Sequence, residues 1–227
     1  MAETETIVFR LVITLVPLIL AIGVHEFAHV AMARWLGDDT GTRLGRYTLN
    51  PIAHMDPVWT LGVPAMLVLF SSGGAALPFF AAGKPAPYNP NCLDKKIGGR
   101  RISIRSAEMW VAAAGPASNV LLAILSALLA FVAVKLGVSM EGRSLVWLLI
   151  LFYQLNIALA VFNLIPIPPL DGSKVLFAIL PEGLAQRYEN IASGMSWILL
   201  ALVLFIGPAV IGPILGLAKT LLFVVLF

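Results

Sequence analysis

Five uncharged, mostly apolar runs dominate the chain, and the charged residues collect between them. The runs are Leu11–Val24, Pro57–Gly83, Met109–Val134, Ser144–Leu170 and Asn190–Ala218. About 20 apolar residues suffice for a helix to cross the ~30 Å hydrocarbon core of a bilayer, and the last four runs exceed that length. The pattern therefore predicts an all-α polytopic membrane protein with about four to six transmembrane helices.

Some segments of this pattern are irregular. The second run, Pro57–Gly83, contains Pro64, Gly73-Gly74 and Pro78, so it is predicted to be broken or to re-enter the membrane from one side. The short alternating segment Thr42–Asn50 is a candidate interfacial β-hairpin. We expect a single membrane-embedded domain over residues 1–227, with a core at 7–180 and a C-terminal apolar helix or hairpin at 190–227.

Composition excludes several classes of protein. Hydrophobic residues make up 59% of the chain and charged residues only 12%, about half the usual share of soluble domains. A soluble enzyme of this size would lack the charge to cover its surface. The net charge of +3 comes from basic residues in loops, which is typical of membrane orientation, so no nucleic-acid partner is expected.

One motif in the first apolar helix carries chemistry. The residues His25-Glu26-Phe27-Ala28-His29 form His-Glu-x-x-His, and side chains four apart share one face of a helix. Two imidazoles at this spacing can bind one zinc ion, and the glutamate can activate water. Chance interfacial histidines are the alternative. Ionisable side chains are costly in a membrane segment and usually mark function, which favours the metal site.

A catalytic zinc ion needs a third protein ligand and one open position. Asp171 is the best candidate, because it ends the Ser144–Leu170 run as a lone carboxylate with no evident partner. Its alternative role is the N-cap of the short helix that follows. His54 is the remaining candidate ligand.

Together these residues resemble the site-2 protease family of intramembrane zinc metalloproteases. The resemblance rests on His25–His29, on Asn163–Gly172 with its Leu-Asp-Gly, and on Ala114–Asn119, which is similar to the family's small-residue motif. The segments Gly45–Pro57 and Gly83–Pro87 resemble the compact subgroup that lacks PDZ and CBS domains. The matching motifs span about residues 23–175.

The resemblance implies roles for individual residues. It makes His25, His29 and Asp171 the zinc ligands and Glu26 the general base. Two residues have open roles. Asn163 contacts substrate, steadies the oxyanion or bonds between helices, and His54 polarises the scissile carbonyl or satisfies backbone groups in its own turn. The small-residue motif contributes Gly115, Pro116 and Asn119, which are expected to pack and hydrogen-bond between helices.

The ligands also constrain the topology. His25 and His29 lie near the end of the first span, and Asp171 follows the span Ser144–Leu170. If every apolar run crossed fully, Asp171 would emerge on the opposite side. A re-entrant Pro57–Gly83 segment repairs this. The ligand side then holds eleven basic residues against three, which predicts an active site facing the cytoplasm. The expected location is a bacterial or archaeal cell membrane.

The leading interpretation is a zinc-dependent intramembrane endopeptidase that cleaves transmembrane segments of single-span proteins in the lipid bilayer. One alternative is a metal-ion transporter that uses the same His/Asp cluster. Another is an inactive relative that binds transmembrane helices without cutting them. The sequence leaves the oligomeric state open.

Overall fold

The computed structural model of the protein describes residues 2–70, 83–139 and 144–226. The helices are α1 (Ala2–Trp35), α2 (Thr40–Arg43), α3 (Val63–Phe70), α4 (Ile104–Lys135), α5 (Leu145–Asn163), α6 (Asp171–Ile179) and α7 (Glu182–Leu226). Short 3₁₀ turns cover Pro51–His54 and Pro90–Cys92, and a π-helical turn covers Pro57–Gly62. Among these residues, two short strands, β1 (Lys96–Ile97) and β2 (Arg100–Arg101), pair as an antiparallel hairpin.

Three helices are long and apolar enough to cross a membrane, which confirms the predicted all-α polytopic membrane class. These spans are Ile7–Trp35, Ile104–Lys135 and Leu145–Asn163. Their outward surfaces are apolar, as lipid requires, and large side chains such as Leu121 and Leu128 are exposed there. Polar side chains instead lie inside, where Asn119 and Asn156 are fully buried. This distribution of polar groups is the reverse of that in a soluble domain.

Helices α1 and α5 run parallel, with α4 packed between them in the opposite direction. Phe9 stacks on Trp147 at one end of the α1–α5 pair, and Ile22 packs in one cluster with Leu159 towards the other end. The carboxyl ends of α1 and α5 therefore lie on the same side of the bundle. Parallel α1 and α5 are what the sequence requires if His25, His29 and Asp171 are to bind one ion.

The segment that corresponds to the second apolar run begins and ends at one place between α1 and α4. The Lys84 backbone N–H donates to the His54 carbonyl at 2.8 Å, and the Arg46 guanidinium donates to the Lys84 carbonyl. The chain therefore leaves at residue 55 and is back at the same place at residue 83. The turn predicted at Gly73-Gly74 lies outside the described residues.

The predicted hairpin was wrong in position. Thr42–Asn50 contains no strand, because the Asp38 carboxylate accepts hydrogen bonds from the Thr40 backbone and hydroxyl and starts a helical turn there. The hairpin forms at Lys96–Arg101 instead. Its turn residues, Gly98 and Gly99, have φ of +60° and +79°, the conformation that a two-residue hairpin loop needs.

The C-terminal run is a helix rather than a hairpin. Helix α7 extends over Glu182–Leu226 and runs antiparallel to α5. Ile211 and Leu215 pack against Phe162, and the Tyr153 hydroxyl donates to the Ala218 carbonyl at 3.0 Å. These contacts close the bundle on the side of α5.

Candidate metal centre

The two histidines of α1 point their rings at one spot. His25 and His29 lie one helical turn apart and are buried, and their Nε2 atoms are 3.0 Å from each other. The rings meet edge to face, with centroids 4.6 Å apart. The i, i+4 spacing on α1 thus delivers the shared face that the sequence predicted.

A tight loop brings Asp171 back to the same spot. Helix α5 ends at Asn163, and Asp171 is the first residue of α6. The chain doubles back so closely that a Cβ on Gly172 would lie 2.2 Å from the Leu164 carbonyl oxygen. Glycine is therefore required directly after the carboxylate. The helix N-cap position belongs to Leu170, which leaves the Asp171 side chain free to face the imidazoles.

Asp171 completes a cluster of three ligand atoms, which we call the His2Asp cluster: His25 Nε2, His29 Nε2 and Asp171 Oδ2. The carboxylate oxygen lies 3.2 Å from His25 Nε2 and 3.4 Å from His29 Nε2. The carboxylate oxygen thus faces both Nε2 atoms and brings a negative charge to the spot that they share.

The far nitrogen of each imidazole tests whether the cluster fits a metal ion. His25 Nδ1 meets Asn119 Oδ1 at 2.6 Å, and His29 Nδ1 meets the Val111 carbonyl at 2.7 Å. Both partners are acceptors, so both Nδ1 atoms carry the proton and both Nε2 lone pairs face inward. Tetrahedral zinc with bonds of about 2.1 Å places its ligand atoms about 3.4 Å apart. The separations of 3.0, 3.2 and 3.4 Å lie within about 0.4 Å of that value.

Glu26 lies beside the cluster in the same cavity. The cavity has a volume of about 260 Å³, and its lining includes all three members of the cluster and Glu26. Glu26 is buried, and among the described residues its Oε2 atom has no hydrogen-bond partner. A Cβ on Gly83 would lie 2.8 Å from Glu26 Cγ, so the backbone at residue 83 passes directly against Glu26. A buried, unpartnered carboxylate oxygen is available to accept a proton.

Gly115 shows why the small-residue motif faces the cluster. A Cβ at this position would lie 2.4 Å from His29 Nε2 and 2.6 Å from His25 Cε1. Helix α4 can approach α1 at the cluster only because residue 115 has no side chain. Pro116 is buried beside it within α4.

Comparison with known proteins places the chain in a family. A Bacillus subtilis protein named "Putative zinc metalloprotease YwhC" is 34% identical over 196 residues, which cover 85% of this chain and 80% of that protein. The family model described as Peptidase family M50 matches residues 133–206, the part with Asn163 and Asp171. The chain belongs to peptidase family M50, the site-2 protease family.

Further relatives of this M50 protein come from mycobacteria and carry the name "Putative zinc metalloprotease Rip2". The protein of Mycolicibacterium smegmatis is 29% identical over 84% of this chain and 65% of its own length. That of Mycobacterium tuberculosis H37Rv is 30% identical over 85% of this chain and 66% of its own length. No solved structure matches.

The structure brings some of the other predicted residues to the M50 site but not all. Asn163 lines the cavity, and its side-chain N–H donates to the Leu159 carbonyl at 3.0 Å. His54 is fully buried, its Nε2 meets the Thr48 carbonyl at 2.8 Å, and it is not part of the cavity lining. Of its two suggested roles, the geometry supports the satisfaction of backbone groups in its own turn.

Sequence reasoning missed further residues at this site. Tyr88 and Lys174 line the cavity mouth, where the Lys174 ammonium donates to the Tyr88 hydroxyl at 2.6 Å and that hydroxyl donates to Glu108 at 3.2 Å. Asn156 lies behind the cluster and contacts Asn119. Its signal in the sequence was an amide in the middle of an apolar run.

Proposed function

We propose that this M50 protein is an intramembrane zinc metalloprotease that hydrolyses peptide bonds in transmembrane segments of single-span membrane proteins. The observation that carries the proposal is the convergence of three lone-pair donors beside a buried, unpartnered carboxylate oxygen in one cavity. Among the described residues this is the group of His, Cys, Asp and Glu side chains with metal-site geometry. The zinc metalloprotease names of its relatives support the same reading.

The chain's own side chains would divide the work as follows. His25, His29 and Asp171 would hold the ion, as a set of three protein ligands with one position left for water or substrate. Zinc, when bound, supplies a Lewis acid that acidifies the attacking water towards a pKa of ~7 and polarises the scissile carbonyl. Asn119 and the Val111 carbonyl keep the two imidazoles in the ligating tautomer.

Glu26 would act as the general base and then as the general acid. Its unpartnered Oε2 atom accepts the proton of the attacking water and returns it to the leaving amine nitrogen. Asn163 lines the same cavity, and its side-chain oxygen is not the atom that bonds Leu159. We assign Asn163 to substrate contact near the cleaved carbonyl.

We also propose that the active site faces the cytoplasm. The basic residues near the carboxyl end of α1 support this orientation under the positive-inside rule. The Lys95 ammonium lies 3.3 Å from the Trp35 ring centroid, a pairing suited to the membrane–water boundary. Water would then enter through the mouth beside Lys174, and a helical substrate must unwind to expose its scissile carbonyl.

Co-expression with a panel of single-span membrane proteins tests the proposal. Wild type should cleave at least one of them, and Glu26→Gln should abolish cleavage while it retains one zinc ion per chain. Asp171→Ala should lower the zinc content. A metal transporter would instead keep partial zinc flux in Glu26→Gln, and an inactive helix binder would bring down its partner uncut in both forms. Loss of zinc in Glu26→Gln, or cleavage by that variant, would contradict the assigned roles.

A further inference from the structure

Two buried amides connect His25 to a backbone carbonyl of α5. His25 Nδ1 meets Asn119 Oδ1 at 2.6 Å, and Asn119 Nδ2 donates to Asn156 Oδ1 at 2.9 Å. Asn156 Nδ2 donates in turn to the Phe152 carbonyl at 2.8 Å. Both asparagines are completely buried. This series of three consecutive hydrogen bonds therefore links α1, α4 and α5 in a place that water does not reach.

The last bond sets the direction of all the others. A backbone carbonyl can only accept, so Phe152 fixes which end of the Asn156 amide carries the N–H groups. Asn156 then presents its oxygen to Asn119, and Asn119 must turn its own N–H groups towards Asn156. The Asn119 oxygen is left facing His25, whose Nδ1 must hold the proton. The Nε2 lone pair of His25 is thereby directed into the His2Asp cluster.

His29 reaches the same state by a shorter route, because its Nδ1 bonds the Val111 carbonyl directly at 2.7 Å. Within the part of the chain that the structure describes, Asn119 has one other hydrogen-bond partner, the Ala21 carbonyl, but that contact is 3.5 Å long and therefore weak. The orientation of the Asn119 amide thus depends mainly on Asn156. His25 and His29 differ in this respect, and the difference supplies an internal control.

We infer that Asn156 is a positioning residue for the metal site, which acts through Asn119 to fix the ligating tautomer and ring orientation of His25. Asn156 touches none of the three ligands. A polar amide in an apolar membrane helix is costly unless its hydrogen bonds are satisfied. Here the satisfied Asn156 amide sets the donor-to-acceptor direction of all three hydrogen bonds. This inference rests on the proposed zinc site, so its test includes a measurement that needs no zinc.

Zinc affinity of the detergent-solubilised full chain, measured by chelator competition, is the first readout. Asn119→Leu removes the direct partner of His25 and should weaken zinc binding by about 10- to 100-fold. Asn156→Leu should weaken it by about 3- to 10-fold, the worth of one neutral hydrogen bond. The double variant should match Asn119→Leu alone, because Asn156 acts only through Asn119. Asn156→Ala removes the same amide without added bulk and should repeat the effect if the leucine variant misfolds.

The second readout is the Nδ1 proton of each histidine in zinc-free protein labelled with ¹⁵N-histidine. The chain has three histidines, so the spectrum is simple to assign. Asn156→Leu should speed solvent exchange of the His25 Nδ1 proton and leave that of His29 unchanged. Ser126→Ala removes a buried hydroxyl that donates within α4 to the Leu122 carbonyl, and it should change neither the affinity nor the exchange.

Some results would overturn the inference. One is wild-type zinc affinity in both Asn156 variants. Another is equal loosening of both histidines, which would indicate general destabilisation. A third is a double variant whose loss equals the product of the two single losses. Absence of zinc binding in the wild type would refute the proposed function, whereas the proton-exchange result for His25 would still decide the role of Asn156.

Discussion

Replacing Gly115 with alanine should strongly weaken metal binding while the fold persists. The added Cβ would lie 2.4 Å from His29 Nε2, and real Cβ contacts essentially never fall below 3.0 Å. The ring or the helix must therefore move by at least 0.6 Å, the difference between these two distances. Metal sites tolerate about 0.5 Å of displacement. A zinc ion would itself sit about 2.1 Å from Nε2, so the methyl group competes for the same space.

The size of the effect separates function from stability. We expect zinc affinity to fall by more than about 100-fold, beyond the usual cost of losing an outer-shell partner. Alanine favours a helix interior over glycine by about 1 kcal/mol, which partly offsets an overpacking cost of about 1–3 kcal/mol. The free energy of unfolding of the zinc-free variant should therefore lie within about 2 kcal/mol of the wild-type value.

Thermal unfolding with and without zinc measures both quantities. At free zinc 100-fold above the wild-type dissociation constant, wild type should gain about 2.7 kcal/mol, whereas Gly115→Ala should gain less than about 0.4 kcal/mol. Gly216→Ala is the matched control, because a Cβ there meets nothing within 4 Å. If Gly115→Ala is stabilised by zinc as wild type is, the cluster is not the metal site.

Three further variants test other parts of the structure. Arg105→Ala should destabilise the protein by about 1–3 kcal/mol and lower zinc affinity in a chelator assay, because this guanidinium donates to carbonyls at the end of α6 and so anchors the helix that begins with Asp171. Burial and Glu108 raise the pKa of Tyr88, so above pH 10 an unfolded tyrosine ionises and the folded one does not. Wild type should then lose more stability between pH 9 and 11 than Tyr88→Phe does, as denaturant titration would show. His54→Gln should cost about 1–2 kcal/mol of stability and leave one zinc ion per chain by elemental analysis, and zinc loss would argue for a ligand role.

The sequence was most informative where burial is costly. Ionisable groups at the ends of apolar runs pointed to His25, Glu26, His29 and Asp171, and the structure brings all four into one cavity. The relative direction of α1 and α5 was predictable for a related reason, because three ligands of one ion must share one side of the membrane. The parallel packing of α1 and α5 follows from that constraint.

Prediction from the sequence failed where backbone conformation or contacts between distant residues determine the structure. The hairpin was placed at Thr42–Asn50 by alternation alone, whereas Gly98-Gly99 supplies the positive φ angles that a tight hairpin needs. Asn156 carries no charge, so an argument weighted towards ionisable residues passed over it. Its partner on α4 lies 37 positions away, and only the packed bundle shows that they meet.

The His2Asp cluster has a dry face and a wet face, and hydrolysis needs both. Behind the cluster, Asn119 and Asn156 are fully buried, so no water competes for the bonds that orient His25. In front, the Asp171 side chain is 20% exposed and Lys174 is exposed at the cavity mouth. Water is a reactant and must enter from one side, whereas rigid ligands need hydrogen bonds that water cannot exchange. A site at the carboxyl ends of α1 and α5 meets both demands, because the bundle interior lies on one side and the membrane surface on the other.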